Sequence, residues 1–318
     1  MATEPALSVA ERSALVAVAR RFYLEDRSKV EIADEFGYSR FKVARMLEQA
    51  RALGVVTITL HDQGTVIPEL AQRLVDELGL AEAVVVESDG SEVVARQHVA
   101  EAAADVLSRT LRDGEVLGMS WGRTLSAMTE ALPSLPSVSV VQLTGTVGSN
   151  FEQSPVEIVR KVALTSGGSA YPIFAPMVVD NAATAAALRQ QPDVAQAIRM
   201  FGDVTTAVLA LGSWDPVESQ LAEAIPDAQR ADLLGRGVVA EVAATLIASD
   251  GSLVAPDFAD QCIAIGAEQI RAIPRVLLVA AGERKASAAR AVLRAGMLSG
   301  IVTDRVLAEA LLDDSIDG

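Results

Sequence analysis

Apolar positions recur along this chain with two periods, and the change of period divides it. From Ala6 to Leu24, the residues Val9, Leu15, Val16, Ala19 and Tyr23 fall at helical spacing, with Ser8 and Glu11 placed as a capping box. Lys29–Phe36 has a helix pattern of its own, and Gly37 and Tyr38 form a tight connection. Ser39 is then an N-cap for a third helix, where Val43, Met46, Leu47 and Ala50 make one apolar face and Gly54 supplies the stop. Val55–Leu60 is β-branched and alternating, which predicts a strand. Its place after the third helix suits a small wing. His61–Gly64 reads as a turn and hinge, followed by a helix over Ile67–Leu78 that ends at Gly79.

From Ala83 onward the pattern changes to short apolar runs separated by helical segments. Strands are expected at Ala83–Glu87, Glu115–Gly118, Val138–Leu143, Thr206–Leu211, Arg275–Ala280 and Ser299–Val302. Helices are expected at Glu92–Leu111, Arg123–Leu132, Val156–Ser166, Ala286–Ala295 and Asp304–Leu312. Apolar strands alternating with helices predict a parallel, doubly wound α/β sheet covered on both faces. Ligands of such sheets bind outside the carboxyl ends of the strands.

Length and charge sharpen this division. The chain has 318 residues, half of them hydrophobic, which suits two domains, 1–60 and 61–318. The formal net charge is −15, but residues 1–60 carry +1 and the remainder −16. That excludes a nonspecific nucleic-acid binder coated in positive charge. Phosphate contact is confined to Ser39–Arg51, where four basic residues face one acidic residue. The single cysteine, Cys262, rules out an internal disulfide or a multi-cysteine zinc site, and reads as a buried strand residue. No signal-peptide pattern and no bilayer-spanning run are visible, so a cytoplasmic protein without membrane contact is expected. The two histidines, His61 and His98, lie away from strand ends. No catalytic set, metal-ligand spacing or cofactor motif is visible, so no enzyme, metal or cofactor is expected.

Two regions can carry binding. Two short helices joined at Gly37, the second with a basic outer face, have the organisation of a helix-turn-helix. Ser39, Arg40, Phe41, Lys42 and Arg45, at the start of the second helix, are then the candidate contacts to double-stranded DNA. An ordinary helical hairpin with a solvated face is the alternative. Further on, Gly118–Leu125 links a strand to a helix. Ser120 and Thr124 offer hydroxyls, Gly122 allows close backbone approach, and Arg123 adds a charged donor. Such a helix start favours an anion, although a plain capped turn has the same pattern. It is not a Walker loop, because no Gly-Lys-Ser/Thr follows. Thr144, Gly145 and Thr146 end the next strand in the same way, and Lys285 follows a late strand. These three turns are expected to converge at one edge of the sheet. Glu241, between apolar neighbours, could accept sugar hydroxyls or lie on an exposed face. Asp180 and Asn181 could cap a helix or face the pocket, and Asp304 reads as a helix N-cap.

The order of several motifs resembles full-length SorC/DeoR-type sugar-responsive transcriptional regulators. They are Ile32-Ala with Tyr38–Leu47, Ser120-Trp-Gly-Arg-Thr124, Gln142-Leu-Thr-Gly145, Asp180-Asn181, Gly212-Ser-Trp214, Asp250-Gly251, Ala281-Gly-x-x-Lys285 and Thr303-Asp304. The resemblance implies a winged helix-turn-helix followed by an effector domain similar to phosphosugar isomerases and deaminases without their catalytic set. It further implies a homo-oligomer, dimer or tetramer, whose operator binding is controlled by a sugar phosphate or a polyol-type metabolite. Ser120, Gly122, Arg123, Thr124, Thr144, Gly145, Thr146, Glu241 and Lys285 take the effector-binding positions. One branch of the family carries a lysine that forms an imine where this chain has Thr144, and a threonine cannot form one. A phosphosugar isomerase- or deaminase-class enzyme with a DNA-binding appendage is the rival expectation.

Overall fold

The computed structural model describes residues 9–56, 64–88, 91–148 and 154–313. The chain divides into two compact units, Met1–Asp62 and Gln63–Gly318. In the first, α1 (Val9–Tyr23), α2 (Lys29–Phe36) and α3 (Arg40–Ala52) share one small core built from Leu15, Val18, Ile32, Val43, Leu47 and Ala50 among others. Local chemistry sets each boundary. Ser28 and Glu31 form a reciprocal capping box at the start of α2, and Gly37 ends it in the left-handed conformation. The Ser39 hydroxyl accepts the Lys42 N–H at 3.2 Å and so starts α3. Arg21 of α1 donates to Glu35 of α2 at 2.9 Å and to Glu25 at 2.6 Å. Burying Val43 and Leu47, worth roughly 1.5–3 kcal/mol each, seats α3 and leaves its charges outside. Of the expected wing strand only Val55 and Val56 are described, packed against this core. Residues 57–60, Ser8 of the expected α1 capping box and most of the expected hinge lie outside the described residues.

The second unit opens with α4 (Pro68–Leu78), β1 (Glu82–Val86), α5 (Glu92–Thr110), β2 (Val116–Met119), α6 (Arg123–Ala131) and β3 (Ser139–Gln142). It continues with α7 (Pro155–Ser166), β4 (Ala170–Tyr171), α8 (Ala182–Arg189), α9 (Pro192–Arg199), β5 (Thr206–Ala210) and β6 (Gly212–Ser213). Then come α10 (Gln220–Ala224), α11 (Asp227–Gly235), β7 (Val238–Val242), β8 (Thr245–Ala248), α12 (Pro256–Asp260) and α13 (Ala267–Ala272). The chain closes with β9 (Arg275–Val279), α14 (Ala286–Arg294), β10 (Gly300–Asp304) and α15 (Arg305–Leu312). Seven strands form one parallel sheet in the order β1-β10-β9-β5-β2-β3-β4. Its strands are apolar on both sides because both faces are covered. Val276 and Leu278 of β9 enter one core while Leu277 and Val279 enter the other. The crossover at β2 and β5, where the chain leaves the sheet centre in both directions, opens a crevice at the carboxyl ends.

A smaller antiparallel sheet, β6-β7-β8, continues from the end of β5 and places β7 beside the crevice. Two expectations change here, and a third is resolved. Cys262 is buried, but it sits in an extended segment that bridges Val178 rather than in a regular strand. Asp304 occupies the N-cap position of α15 without capping it. Its carboxylate instead accepts from the Gly282 N–H at 3.0 Å and the Ser88 hydroxyl at 3.2 Å, joining the ends of β1, β9 and β10. Of the two residues after Val179, Asn181 is a cap: its side chain accepts the Thr184 N–H at 2.9 Å.

Candidate functional site

In the first unit, the apolar stripe of α3 fixes which residues point away from the core. Val43, Met46, Leu47 and Ala50 are buried, while Ser39, Arg40, Phe41, Lys42 and Arg45 are exposed. Phe41 and Arg45, one turn apart, lie opposite the buried stripe. The Lys42 ammonium rests 3.8 Å from the centre of the Tyr38 ring, a cation–π contact that restrains it beside the helix start. The positive end of the helix dipole adds to these three cations.

In the second unit, a cleft open to solvent lies at the carboxyl ends of β2 and β5. The β2–α6 loop supplies Ser120 and Gly122, and the first turn of α6 supplies Arg123 and Thr124. Its shape is set by two contacts with β5. The Ser120 hydroxyl accepts the Ala210 N–H at 2.9 Å, and the Ser120 N–H donates to the Val208 carbonyl at 3.0 Å. Gly122 has φ +139°, and a Cβ there would come within 3.1 Å of the Ala210 side chain, so glycine is needed at this close approach. The first-turn N–H groups of α6 lack intrahelical acceptors. Arg123 is exposed and makes no ion pair among the described residues.

Lys285 reaches the same cleft from the loop after β9 and donates to the Leu211 carbonyl at 3.2 Å. Burial pushes its ammonium below the usual range, and the nearby Arg123 and Arg96 charges add to that, while Glu218 opposes it. Glu241 on β7 is only 8% exposed and faces the cleft. One of its oxygens accepts from the Ser219 hydroxyl at 3.1 Å; the other has no hydrogen-bond partner. Burial pushes its carboxyl up to about 7, against the Ser219 bond, which lowers it. The cleft therefore offers an anion two cationic donors and helix N–H groups on one wall. On another it offers a buried carboxyl with a spare oxygen, able to meet a hydroxyl in either protonation state.

The structure brings Ser120, Gly122, Arg123, Thr124, Glu241 and Lys285 together. It does not bring in the turn after β3: Thr144, Gly145 and Thr146 are not among the residues lining the cleft. The Gly145 N–H donates to the Ile263 carbonyl at 2.7 Å, and the Thr146 N–H donates to the Ala175 carbonyl at 2.8 Å. Those donors already have protein acceptors. Thr144 is fully buried, paired with Ala264, and held by the Gln142 amide, which donates to its carbonyl at 2.6 Å. Sequence reasoning missed Arg96, Glu218, Ser219 and Gln220, which also line the cleft. Of these only Ser219 carried a signal, as the N-cap of α10, whose Ala222 N–H it accepts at 3.1 Å. Glu218 is bound to Arg284 at 2.7 Å and Arg96 to Glu92 at 2.6 Å, so neither brings an unopposed charge.

The chain is 27% identical over 287 residues to the erythritol catabolism regulatory protein EryD of Brucella abortus, covering 88% of this chain and 90% of that protein. It is 25% identical over 303 residues to the deoxyribonucleoside regulator of Bacillus subtilis, covering 94% and 97%. Its fold matches the crystal structure of the full-length sorbitol operon regulator SorC from Klebsiella pneumoniae. The TM-score is 0.73 at 23% identity, over 96% of this chain and all of that one. Residues 65–313, nearly all of the second unit, match the family described as "Putative sugar-binding domain", and the chain belongs to that family.

Proposed function

We propose that this chain is a DNA-binding transcriptional regulator of a carbohydrate or polyol catabolic operon, controlled by a sugar phosphate or related metabolite. In this reading α2 and α3, completed by a wing, form the operator-reading head, and residues 61–318 form the effector-binding and oligomerisation domain. The relatives named above are regulators of erythritol and deoxyribonucleoside metabolism, which supports the assignment. The observation that carries it is the first two turns of α3: a capped helix, seated by its apolar face, with Arg40, Lys42 and Arg45 all exposed. In an otherwise strongly acidic chain that face has an evident partner in phosphate-bearing DNA. Selection from a random duplex pool tests it. Enrichment of a motif with repeated half-sites is expected, whereas equal retention of all sequences would contradict the reading.

Ser120, Gly122, Arg123 and Thr124 take the anionic end of the effector, Lys285 adds a second positive group, and Glu241 takes hydroxyls. Thr144, Gly145 and Thr146, which do not line the cleft, contribute no donors in this reading. Several reading heads joined through the second unit raise operator affinity by avidity, so a dimer or tetramer is expected by light scattering.

The rival reading, an isomerase- or deaminase-class enzyme, draws on Glu241, whose carboxyl titrates near 7, where a general acid–base works best. A turnover assay on a phosphosugar panel, run beside a thermal-shift screen, separates the two. Shifts without turnover support a sensor; turnover supports the enzyme.

A further inference from the structure

Phe41 is the most exposed large apolar side chain among the described residues, at 81% of its surface. It is the second residue of α3 and lies opposite the stripe that packs into the core. Nothing in its own unit needs a phenyl ring there. Arg45 lies one turn on from it and Arg40 and Lys42 are its exposed chain neighbours, so a partner that meets this surface brings negative charge beside an apolar group. A protein surface with an apolar knob offers one of these. The major groove of a duplex offers both, since phosphates flank it and only it admits a helix.

Within that groove the chemistry narrows further. A phenyl ring has no donor or acceptor, so it gains nothing from the purine N7, the guanine O6, or the amino groups of adenine and cytosine. The one apolar feature on a major-groove edge is the thymine 5-methyl group. Insertion between base pairs belongs to wedges entering the minor groove, which a ring on the outward face of a groove-filling helix does not reach.

We infer that Phe41 reads a thymine 5-methyl group in each operator half-site, with Arg40, Lys42 and Arg45 fixing the register that places it there. This rests on the DNA-binding reading above. It assigns one base per half-site to an apolar contact and makes Phe41 a specificity determinant rather than an affinity one.

The test uses the full-length chain and the duplex it selects from a random pool. Each thymine is replaced in turn by deoxyuridine, which lacks only the methyl group and keeps the same pairing and groove edge. One replacement per half-site is expected to weaken wild-type binding about four-fold, the transfer value of one buried methyl. Phe41→Ala is expected to bind the thymine and uracil duplexes alike, and Phe41→Leu to keep part of the difference. As Phe41 is exposed, both variants should fold, and the circular dichroism of each checks this. If the wild type binds every uracil-containing duplex as well as its parent, or Phe41→Ala keeps the full uracil penalty, the Phe41 assignment is overturned while DNA binding stands. A chain that retains no duplex at all overturns both.

Discussion

The Ser219 hydroxyl donates to one oxygen of Glu241 at 3.1 Å, and the second oxygen is buried with no hydrogen-bond partner in the protein. A carboxylate so placed lacks the hydrogen bonds that would keep it charged, and burial dominates its titration.

The pH dependence follows from that contact. The folded state holds a proton on Glu241 up to about pH 7, the unfolded chain only to the ordinary glutamate range. Between those values the folded state binds more protons, so the stability contributed by the neutral acid is lost as pH rises through about 7. The loss is on the order of a few kcal/mol. Urea unfolding of wild type and Glu241→Gln at pH 5.5 and pH 8 should show that the substitution removes this slope and leaves the variant more stable at the higher pH. Parallel pH dependences would show that Glu241 does not carry it.

Arg123 and Lys285 should act on ligand binding alone. If the effector is phosphorylated, Arg123→Ala and Lys285→Ala each remove a charge-assisted hydrogen bond of roughly 1.5–3 kcal/mol, a ten- to hundred-fold loss. Calorimetry with the best ligand of the panel should show this, with ligand-free operator binding unchanged. A ligand indifferent to both substitutions would remove the cleft from the account. Preference for an uncharged polyol with Arg123 still required would discard only the phosphate. Since Thr144 cannot form an imine, borohydride should trap no adduct.

Along α3 the three cations should separate by role. A base-reading arginine, Arg40 or Arg45, should cost ~1–3 kcal/mol on replacement by alanine and relax one operator position. Lys42, restrained over Tyr38, should behave as a phosphate contact: Lys42→Ala should weaken all sequences alike and lower the salt slope by about 1. Salt titrations of each variant on matched and mismatched duplexes distinguish these outcomes.

The Ser39 cap should matter to the head itself. Ser39→Ala removes the acceptor for the Lys42 N–H and should destabilise the first unit by about 1 kcal/mol. Ser39→Asp should restore it. Thermal unfolding of the two variants reads the difference.

The parts of this molecule that obey local rules were legible in the sequence. β5 after Thr206 and β9 after Arg275 are apolar because both sheet faces are covered, and Ser39, Gly37 and Gly79 mark their helix ends by standard cap chemistry. Gly122 and Arg123 could be placed because the turn from β2 to α6 is short and its residue types are demanding. The β7–β8 hairpin was not legible. Ala243 and Ala244 turn it at φ +47° and +65°, where glycine or asparagine is the usual signal. Arg96 reaches the cleft from the side of a long helix, through tertiary packing that no local pattern encodes. The turn after β3 misled for a related reason. The Gly145 and Thr146 N–H groups are taken by the carbonyls of Ile263 and Ala175, in extended segments without strand periodicity, so nothing nearby in sequence announced that they were occupied.

In the proposed regulator, occupancy of the cleft controls the grip of α3 on DNA. Anisotropy of a labelled selected operator, titrated with sugar phosphates and polyols, measures that coupling directly. At least one ligand should change wild-type operator affinity by roughly five-fold or more, the lower range of allosteric coupling. The same ligand should leave Arg123→Ala operator binding unmoved. An operator affinity that stays constant with every ligand that binds the cleft would contradict the account.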